Sequence, residues 1–158
     1  MKTLIIYATK HGSAESCSKL LKGKLNGETV VVNIKKDAIP DLSGFDNVIM
    51  GGSIYVGKIQ KELTNFCSKN LEELKKKKLG LFICCMNKDN TEVQLNTSFP
   101  QELLNSAVSK ECFGGEFRLS HMNILERFIV KVISKTDKEV SMLSEESITR
   151  LAQLLNKA

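Results

Sequence analysis

Residues 2–21 read KTLIIYATKHGSAESCSKLL, and much of the fold follows from them. Lys2–Ala8 is an apolar run that predicts a buried strand. Thr9–Ala14 is polar, contains a glycine and predicts a tight turn, and Glu15–Leu25 then repeats apolar residues at a helical spacing. A strand, a turn and a helix in this order direct backbone N–H groups and the positive end of the helix dipole to one place. The stretch therefore indicates an anion site.

The turn narrows the kind of anion. It lacks the Gly-x-x-x-x-Gly-Lys-Ser/Thr spacing of nucleoside triphosphate loops, and it has one glycine instead of the three of a dinucleotide loop. Thr9 and Ser13 add hydroxyl donors, and Gly12 permits close approach and a positive φ. These features favour a compact pocket for a phosphate monoester. The turn alone is equally compatible with an ordinary strand-to-helix connection.

Composition limits the class of protein. With 158 residues, 42% apolar and 26% charged, the chain is globular, and we expect one domain over residues 1–158. It has no apolar run of transmembrane length and no signal-peptide pattern, so we expect a cytoplasmic protein. Five cysteines without a C-x-x-C pair indicate reduced thiols, and with two histidines no zinc site is expected. The net charge of +5 resides largely on helical lysines without interleaved aromatics, which argues against nucleic acid as a partner.

Apolar runs and helical periods alternate along the rest of the chain. Further strands are predicted over Thr29–Ile34, Asn47–Met50, Leu79–Cys85 and Cys112–Leu119, with helices over Lys58–Lys69 and Pro100–Val108 and from Ser144 onwards. Strands without polar alternation, separated by helices, indicate an α/β fold with a parallel sheet covered on both faces. We expect a doubly wound, five-stranded sheet of order 2-1-3-4-5. Residues 88–110 are expected to be an insertion before strand 5.

Ligands of such sheets bind at the carboxyl ends of the strands. Here three loops are expected to converge, namely Thr9–Ala14, Gly52–Gly57 and Cys85–Lys88. Tyr55 offers an aromatic face for a planar ring, although it could equally be a packing residue. A phosphate turn beside an aromatic loop favours FMN as the cofactor. The predicted contacts are Thr9, Lys10, His11, Gly12, Ser13, Ala14, Ser53, Ile54, Tyr55, Val56, Gly57, Met86 and Asn87.

These loops carry a resemblance to a known family. Residues 9–14, TKHGSA, are similar to the flavodoxin phosphate loop Thr-x-Thr-Gly-x-Thr but lack its hydroxyls at His11 and Ala14. The chain therefore resembles flavodoxin-like FMN proteins. Within that fold it is most similar to the menaquinone-dependent protoporphyrinogen oxidase group. The segments that carry this likeness are 7–9 with Gly12, 52–58, the segment between strands 4 and 5, 115–118 and 127–131.

The charges near the expected flavin bear on its potential. Lys10, Lys58 and Lys61 lie in or beside the predicted loops, where the resemblance would lead one to expect carboxylates in a low-potential carrier. Positive charge stabilises a reduced, anionic flavin and raises the potential of the second electron. The pattern favours two-electron chemistry, unless these lysines point into solvent and are screened.

Two functions follow from the resemblance, and no catalytic acid, base or nucleophile is assigned. One is an oxidoreductase that passes electrons from an organic substrate to a quinone; the alternative is an electron carrier that docks on redox proteins. A flavodoxin-fold module without cofactor is a third hypothesis, based on the departures at His11 and Ala14. Residues 122–138 form a basic amphipathic pattern that suits either peripheral contact with the inner face of the membrane or packing on the sheet. Cys84 and Cys85 could be a redox thiol or simply small buried side chains.

Overall fold

The structure is a computed structural model, and it describes residues 1–85, 88–117 and 140–157. Strands and helices alternate along most of the chain. The strands are β1 (Lys2–Ala8), β2 (Glu28–Asn33), β3 (Asn47–Ser53), β4 (Lys78–Cys84), β5 (Ser109–Cys112), β6 (Gly114–Phe117) and β7 (Val140–Leu143). The helices are α1 (Ser13–Lys22), α2 (Lys61–Lys69), α3 (Leu71–Lys75), α4 (Thr91–Ser98), α5 (Gln101–Ser106) and α6 (Glu145–Asn156).

Strands β1 to β5 form one parallel sheet in the order β2-β1-β3-β4-β5. The predicted doubly wound order 2-1-3-4-5 is therefore confirmed. The registers align the carboxyl ends of the central strands, with Ala8 of β1 opposite Gly52 of β3 and Ser53 of β3 opposite Cys84 of β4. The loops that follow these strands consequently begin side by side.

Two apolar cores cover the two faces of this sheet. One joins the strands to α2, α3, α4 and α5, and its helical members are Leu63, Cys67, Leu74, Leu95, Leu103 and Leu104. The other joins the strands to α1 and α6, through Ala14, Cys17, Leu21, Ile148, Leu151, Ala152 and Leu155. Successive residues of a strand point to opposite faces, so a strand buried on both sides must be apolar throughout. This explains why the central strands lack polar alternation.

Gly51 of β3 makes room for an aromatic stack in the second core. The Phe82 ring of β4 stacks on Phe113 with centroids 4.6 Å apart and planes inclined by 17°. A Cβ atom at Gly51 would lie 2.4 Å from three carbons of the Phe82 ring. Glycine is therefore required here for space.

The predicted fifth strand, Cys112–Leu119, is wrong in its bounds. The sheet strand is β5, Ser109–Cys112, and the chain then turns away through Gly114, whose φ is +79°. Residues 114–117 form β6, which pairs antiparallel with β7 in a separate two-stranded sheet. The apolar pattern continues past Gly114, but the positive φ at that glycine ends the strand.

Residues 88–110, expected to be an insertion before strand 5, have secondary structure of their own. They contain α4, α5 and the start of β5, and the β4–β5 connection, 85–108, is as long as the β3–β4 connection, 54–77. The sequence did not predict α4, because this helix has no apolar stripe. Val93 is 62% exposed, and Leu95 is the one buried apolar residue of the helix.

The last helix begins as expected. The Ser144 hydroxyl accepts a hydrogen bond from the Ser147 N–H at 3.3 Å, which confirms Ser144 as the N-cap of α6. Two predictions, the FMN contacts Met86 and Asn87 and the amphipathic segment 122–138, lie outside the described residues. Of the helices in the described ranges, none is both long and apolar enough to cross a membrane.

Candidate functional site

The turn after β1 has the geometry that its sequence predicts. Gly12 adopts φ +96° as the residue before α1, and its carbonyl accepts the first helical hydrogen bond from the Ser16 N–H at 3.0 Å. The Thr9 hydroxyl oxygen accepts the Gly12 N–H at 2.9 Å and so closes the turn. Ser13 and Ala14 are buried in the first turn of the helix. The first N–H groups of α1 therefore lie next to a compact turn that contains Gly12. This arrangement is suited to binding an anion.

A hydrogen bond joins this turn to the loop after β3. The hydroxyl oxygens of Thr9 and Ser53 lie 3.2 Å apart. Since the Thr9 oxygen already accepts the Gly12 N–H, Ser53 can donate to it and leave the Thr9 proton for a ligand. The two loops that were expected to converge are therefore in direct contact.

The loop after β3 ends in a tight hairpin turn. Tyr55 and Lys58 exchange backbone hydrogen bonds of 2.9 and 3.1 Å around Val56 and Gly57, which have φ values of +50° and +74°. Val56 is β-branched and left-handed, a strained combination, and its side chain is 83% exposed. Backbone strain of this kind is concentrated at functional sites. The turn holds Tyr55 at the mouth of the site and Val56 at its outer tip.

Tyr55 is half-buried and contacts the turn that follows β1. The Lys10 ammonium lies 3.7 Å from the centre of the Tyr55 ring, and the His11 ring meets it edge-on with centroids 5.7 Å apart. A cation over a tyrosine face is worth about 0.5–1 kcal/mol at exposed sites. Lys10 was predicted as an FMN contact beside the turn, and its ammonium lies on the Tyr55 ring. A planar ligand on that face of Tyr55 would displace Lys10.

Gly52 serves by its size. It is the last residue but one of β3, and a Cβ there would approach the Gln60 Oε1 to 2.7 Å. Gln60 in turn donates from Nε2 to the Ser53 carbonyl at 3.0 Å. The left-handed residues of this loop are Val56 and Gly57. Gly52 instead lets Gln60 fix the backbone where the loop begins.

The carboxyl end of β4 brings four thiols together in two pairs. Cys84 lies on the face of α1, where its Sγ is 3.5 Å from that of Cys17. Cys85 lies on the opposite face, with its Sγ 3.3 Å from that of Cys112. Within the described residues no group of three or more histidine, cysteine and acidic side chains could hold a metal ion. Sequence analysis missed both pairs because their members are far apart in the chain.

The two pairs differ in acidity. A hydrogen bond to Cys17, together with burial, raises the pKa of Cys84 well above the usual range of a thiol. A hydrogen bond from the Cys85 thiol, with others from the Gly114 N–H and the Thr91 hydroxyl, lowers the pKa of Cys112 to about 5, although burial opposes this. Cys112 therefore favours its anion, whereas Cys84 favours its thiol form.

A cleft of about 640 Å³ opens beside the hairpin turn. The turn and the start of α2 form one wall through Gly57, Lys58, Ile59, Lys61 and Thr64, and the α4 region forms the other through Asn90, Val93, Gln94 and Thr97. Gln94 Oε1 is buried, and the described residues supply no hydrogen-bond partner for it. Two lysines give the cleft a positive wall. The sequence predicted the two lysines beside the loop but not the opposite wall, because α4 has no periodic apolar pattern.

The fold and the site together define a flavodoxin-like α/β protein, with a glycine-containing turn and an aromatic loop at the carboxyl edge of the sheet. A family model described as a flavodoxin domain matches residues 4–144. The chain therefore belongs to the flavodoxin domain family.

Individual relatives are distant. Protoporphyrinogen IX dehydrogenase [quinone] of Escherichia coli strain K12 is 23% identical over 169 residues, which cover 97% of this chain and 93% of that protein. A short-chain flavodoxin associated with a non-canonical PDU bacterial microcompartment has a similar structure, with a TM-score of 0.62 at 16% identity over 98% of this chain and 96% of that one. A flavodoxin from the domain Archaea has a TM-score of 0.59 at 10% identity, over 98% and 93% of the two chains. The structural likenesses show the fold.

Proposed function

We propose that this chain binds one FMN non-covalently at the carboxyl edge of its sheet and transfers electrons through it. The observation that carries this proposal is the contact between the two loops, in which Thr9 bonds to Ser53 and Lys10 covers Tyr55. Thr9, Ser13 and the first N–H groups of α1 would hold the phosphate, and Tyr55 would face the flavin ring. The bound flavin would supply the redox chemistry, and the protein would hold it and tune its potential.

The fit of FMN rests on two features of the described residues. The turn ends at the N-terminus of a helix of ten residues, where orphan N–H groups favour a phosphate. The aromatic ring of Tyr55 lies directly beside that turn, and the Lys10 side chain covers one face of it. Both parts of a flavin nucleotide therefore have a counterpart in the site. A fluorescence titration tests the proposal: the chain should quench added FMN at a ratio of one to one.

For the reaction itself, we infer an oxidoreductase that passes electrons from an organic substrate to a quinone. The relative from Escherichia coli, named as a quinone-linked dehydrogenase, supports this class. The positive cleft next to Tyr55 supports it as well, because it offers space for a small molecule beside the flavin loop. The competing function is an electron carrier that docks on redox proteins, and the exposed tip at Val56 favours that alternative.

Anaerobic reduction followed by mixing with a soluble quinone separates the two functions. An oxidoreductase should be reduced in one two-electron stage and then be reoxidised by a stoichiometric amount of quinone. A carrier should instead accumulate the one-electron-reduced form over a wide range of potential and react slowly with quinone. Failure of both reactions in FMN-loaded protein would contradict either function and leave only cofactor binding.

Lys10 is expected to raise the potential of the second electron. Replacing Lys10 with glutamine removes a charge that covers Tyr55 in the structure and that a bound flavin ring would displace to its own edge. At a separation of about 7 Å and an effective dielectric constant of about 40, that charge is worth about 1 kcal/mol, or roughly 40 mV for one electron. Potentiometry should show this decrease. Lys69→Gln makes the same charge change at the far end of α2, and an equal shift in both variants would contradict a local effect.

A further inference from the structure

Cys85 and Cys112 meet on one face of the sheet although 26 residues separate them in the sequence. Ile83 of β4 pairs with Cys112 of β5, and side chains two residues apart on a strand share a face. Cys85, which follows β4, therefore points to the same side as Cys112. Their sulfur atoms lie 3.3 Å apart, which is closer than two methyl carbons lie when they pack without a bond. The proposed electron transfer makes no use of this pair.

The surroundings of Cys112 favour its thiolate. The Cys85 thiol, the Gly114 N–H and the Thr91 hydroxyl hydrogen-bond to its sulfur and lower its pKa. Their effect outweighs burial, which raises the pKa, and a 3.8 Å contact in which the Cys112 thiol donates to the Cys85 carbonyl. A thiolate is the nucleophilic form of cysteine. Thiolates that sense oxidants commonly lie beside a second thiol that completes a disulfide.

We propose that Cys112 reacts with hydroperoxides and that Cys85 then closes a reversible disulfide with it. In the first step the Cys112 thiolate attacks one peroxide oxygen, the O–O bond breaks, and the sulfur becomes a sulfenic acid while hydroxide leaves. In the second step the Cys85 sulfur attacks the Cys112 sulfur, loses its proton and expels hydroxide, which that proton converts to water. The first hydroxide takes up the proton that Cys112 released when it ionised. In total two thiols lose two electrons, and one hydrogen peroxide is reduced to two waters.

The geometry permits this closure. A disulfide requires the sulfur atoms to approach from 3.3 Å to about 2.04 Å, a movement of about 1.3 Å. Cys112 is fixed at the end of β5, but Cys85 lies one residue beyond β4 and beyond the last ladder pair of that strand. The backbone at Cys85 is therefore able to supply the movement.

Burial selects the size of the oxidant. Cys112 is 9% exposed and Cys85 is 6% exposed. Hydrogen peroxide is little larger than water and can reach such a sulfur, whereas a peptide disulfide such as oxidised glutathione cannot align with it. We therefore assign the site to small hydroperoxides.

The second thiol pair provides an internal control. Cys17 and Cys84 have a similar sulfur separation, 3.5 Å, but they are 0% and 3% exposed. Hydrogen bonding and burial raise the pKa of Cys84, so the member of this pair at the end of β4 stays a thiol at neutral pH. If proximity of the sulfur atoms were sufficient, peroxide would oxidise both pairs. The proposed chemistry predicts oxidation of Cys85 and Cys112 but not of Cys17 and Cys84.

Peptide mapping after mild peroxide treatment tests the proposal in the full chain, with and without FMN. Trypsin separates Cys17, Cys67 and Cys112 into peptides 11–19, 62–69 and 111–118, while Cys84 and Cys85 share peptide 79–88. The expected product is a reducible cross-link between peptides 79–88 and 111–118, with three of the five thiols still available to alkylation. A cross-link between 11–19 and 79–88, an unreacted 111–118 peptide, or equally fast oxidation by oxidised glutathione would overturn it. The result is independent of FMN binding, so it stands apart from the proposed function.

Three variants assign the roles of the two sulfurs. Cys85→Ser should leave Cys112 as a sulfenic acid that dimedone traps, without a cross-link. In Cys112→Ser, Cys84 and Cys85 should both stay reduced. The matched variant Cys84→Ala should form the cross-link as the unmodified chain does. Circular dichroism verifies that each variant folds. If a variant does not fold, the peptide map of the unmodified chain decides the proposal by itself. A cross-link in Cys112→Ser, or its loss in folded Cys84→Ala, would contradict the assignment.

Discussion

Replacing Gly51 with alanine is expected to lower the free energy of unfolding by about 3 kcal/mol. The added methyl group would lie 2.4 Å from carbons of the Phe82 ring, a distance that Cβ atoms do not tolerate. Phe82 cannot retreat easily, because it is fully buried and stacks on Phe113 at 4.6 Å. Gly51 is also paired in the centre of the sheet, opposite Tyr7 on one side and Phe82 on the other, so the backbone cannot move away either.

Urea unfolding of the FMN-free protein measures this effect, with Gly44→Ala as the matched control. Gly44 lies in a short 3₁₀ turn, and nothing is within 4 Å of the position that its Cβ would occupy. The alanine there should leave the unfolding midpoint unchanged or raise it slightly, since it reduces the entropy of the unfolded chain. Equal midpoints for the two alanine variants would contradict the argument from space.

The central sheet could be predicted from sequence because its strands are buried on both faces. Apolar residues without alternation mark β1, β3 and β4, and the glycine-containing turn after β1 identifies the edge where ligands bind. The interpretation of Thr9, Gly12 and Tyr55 as neighbours then followed from topology alone. Local sequence carries this information, since parallel strands share one direction and their carboxyl ends share one edge.

The parts that sequence missed depend on distances across the chain. The apolar pattern continues from Cys112 through Phe117, yet Gly114 at a positive φ separates β5 from β6. No spacing rule pairs Cys85 with Cys112, because the contact arises from the register of two strands. Likewise α4 presents one buried leucine to the core and has no periodic signature. The cleft that α4 helps to form could not be foreseen for the same reason.

Replacing Thr9 with valine is expected to weaken FMN binding by about 10-fold to 100-fold. Valine keeps the shape of threonine but removes the oxygen that accepts the Gly12 N–H at 2.9 Å and bonds to Ser53 at 3.2 Å. The loop would lose its closing bond, and the phosphate would lose a hydroxyl donor. Leaving such a partly buried donor unsatisfied costs about 1–3 kcal/mol, and each 1.4 kcal/mol corresponds to about a tenfold change in Kd. Quenching of FMN fluorescence gives the Kd directly.

Thr9→Ser distinguishes the hydroxyl from the shape of the side chain. Serine keeps both hydrogen bonds and loses only a methyl group. The Kd of the serine variant for FMN should therefore stay within about threefold of that of the unmodified chain, a smaller change than the loss of one hydrogen bond would cause. Ser53→Ala removes one partner of the bridge but not the bond from Gly12, and an intermediate effect is expected. If valine and serine at position 9 weakened binding equally, packing at the turn would be the cause. The Thr9 hydroxyl would then have no part in holding the phosphate.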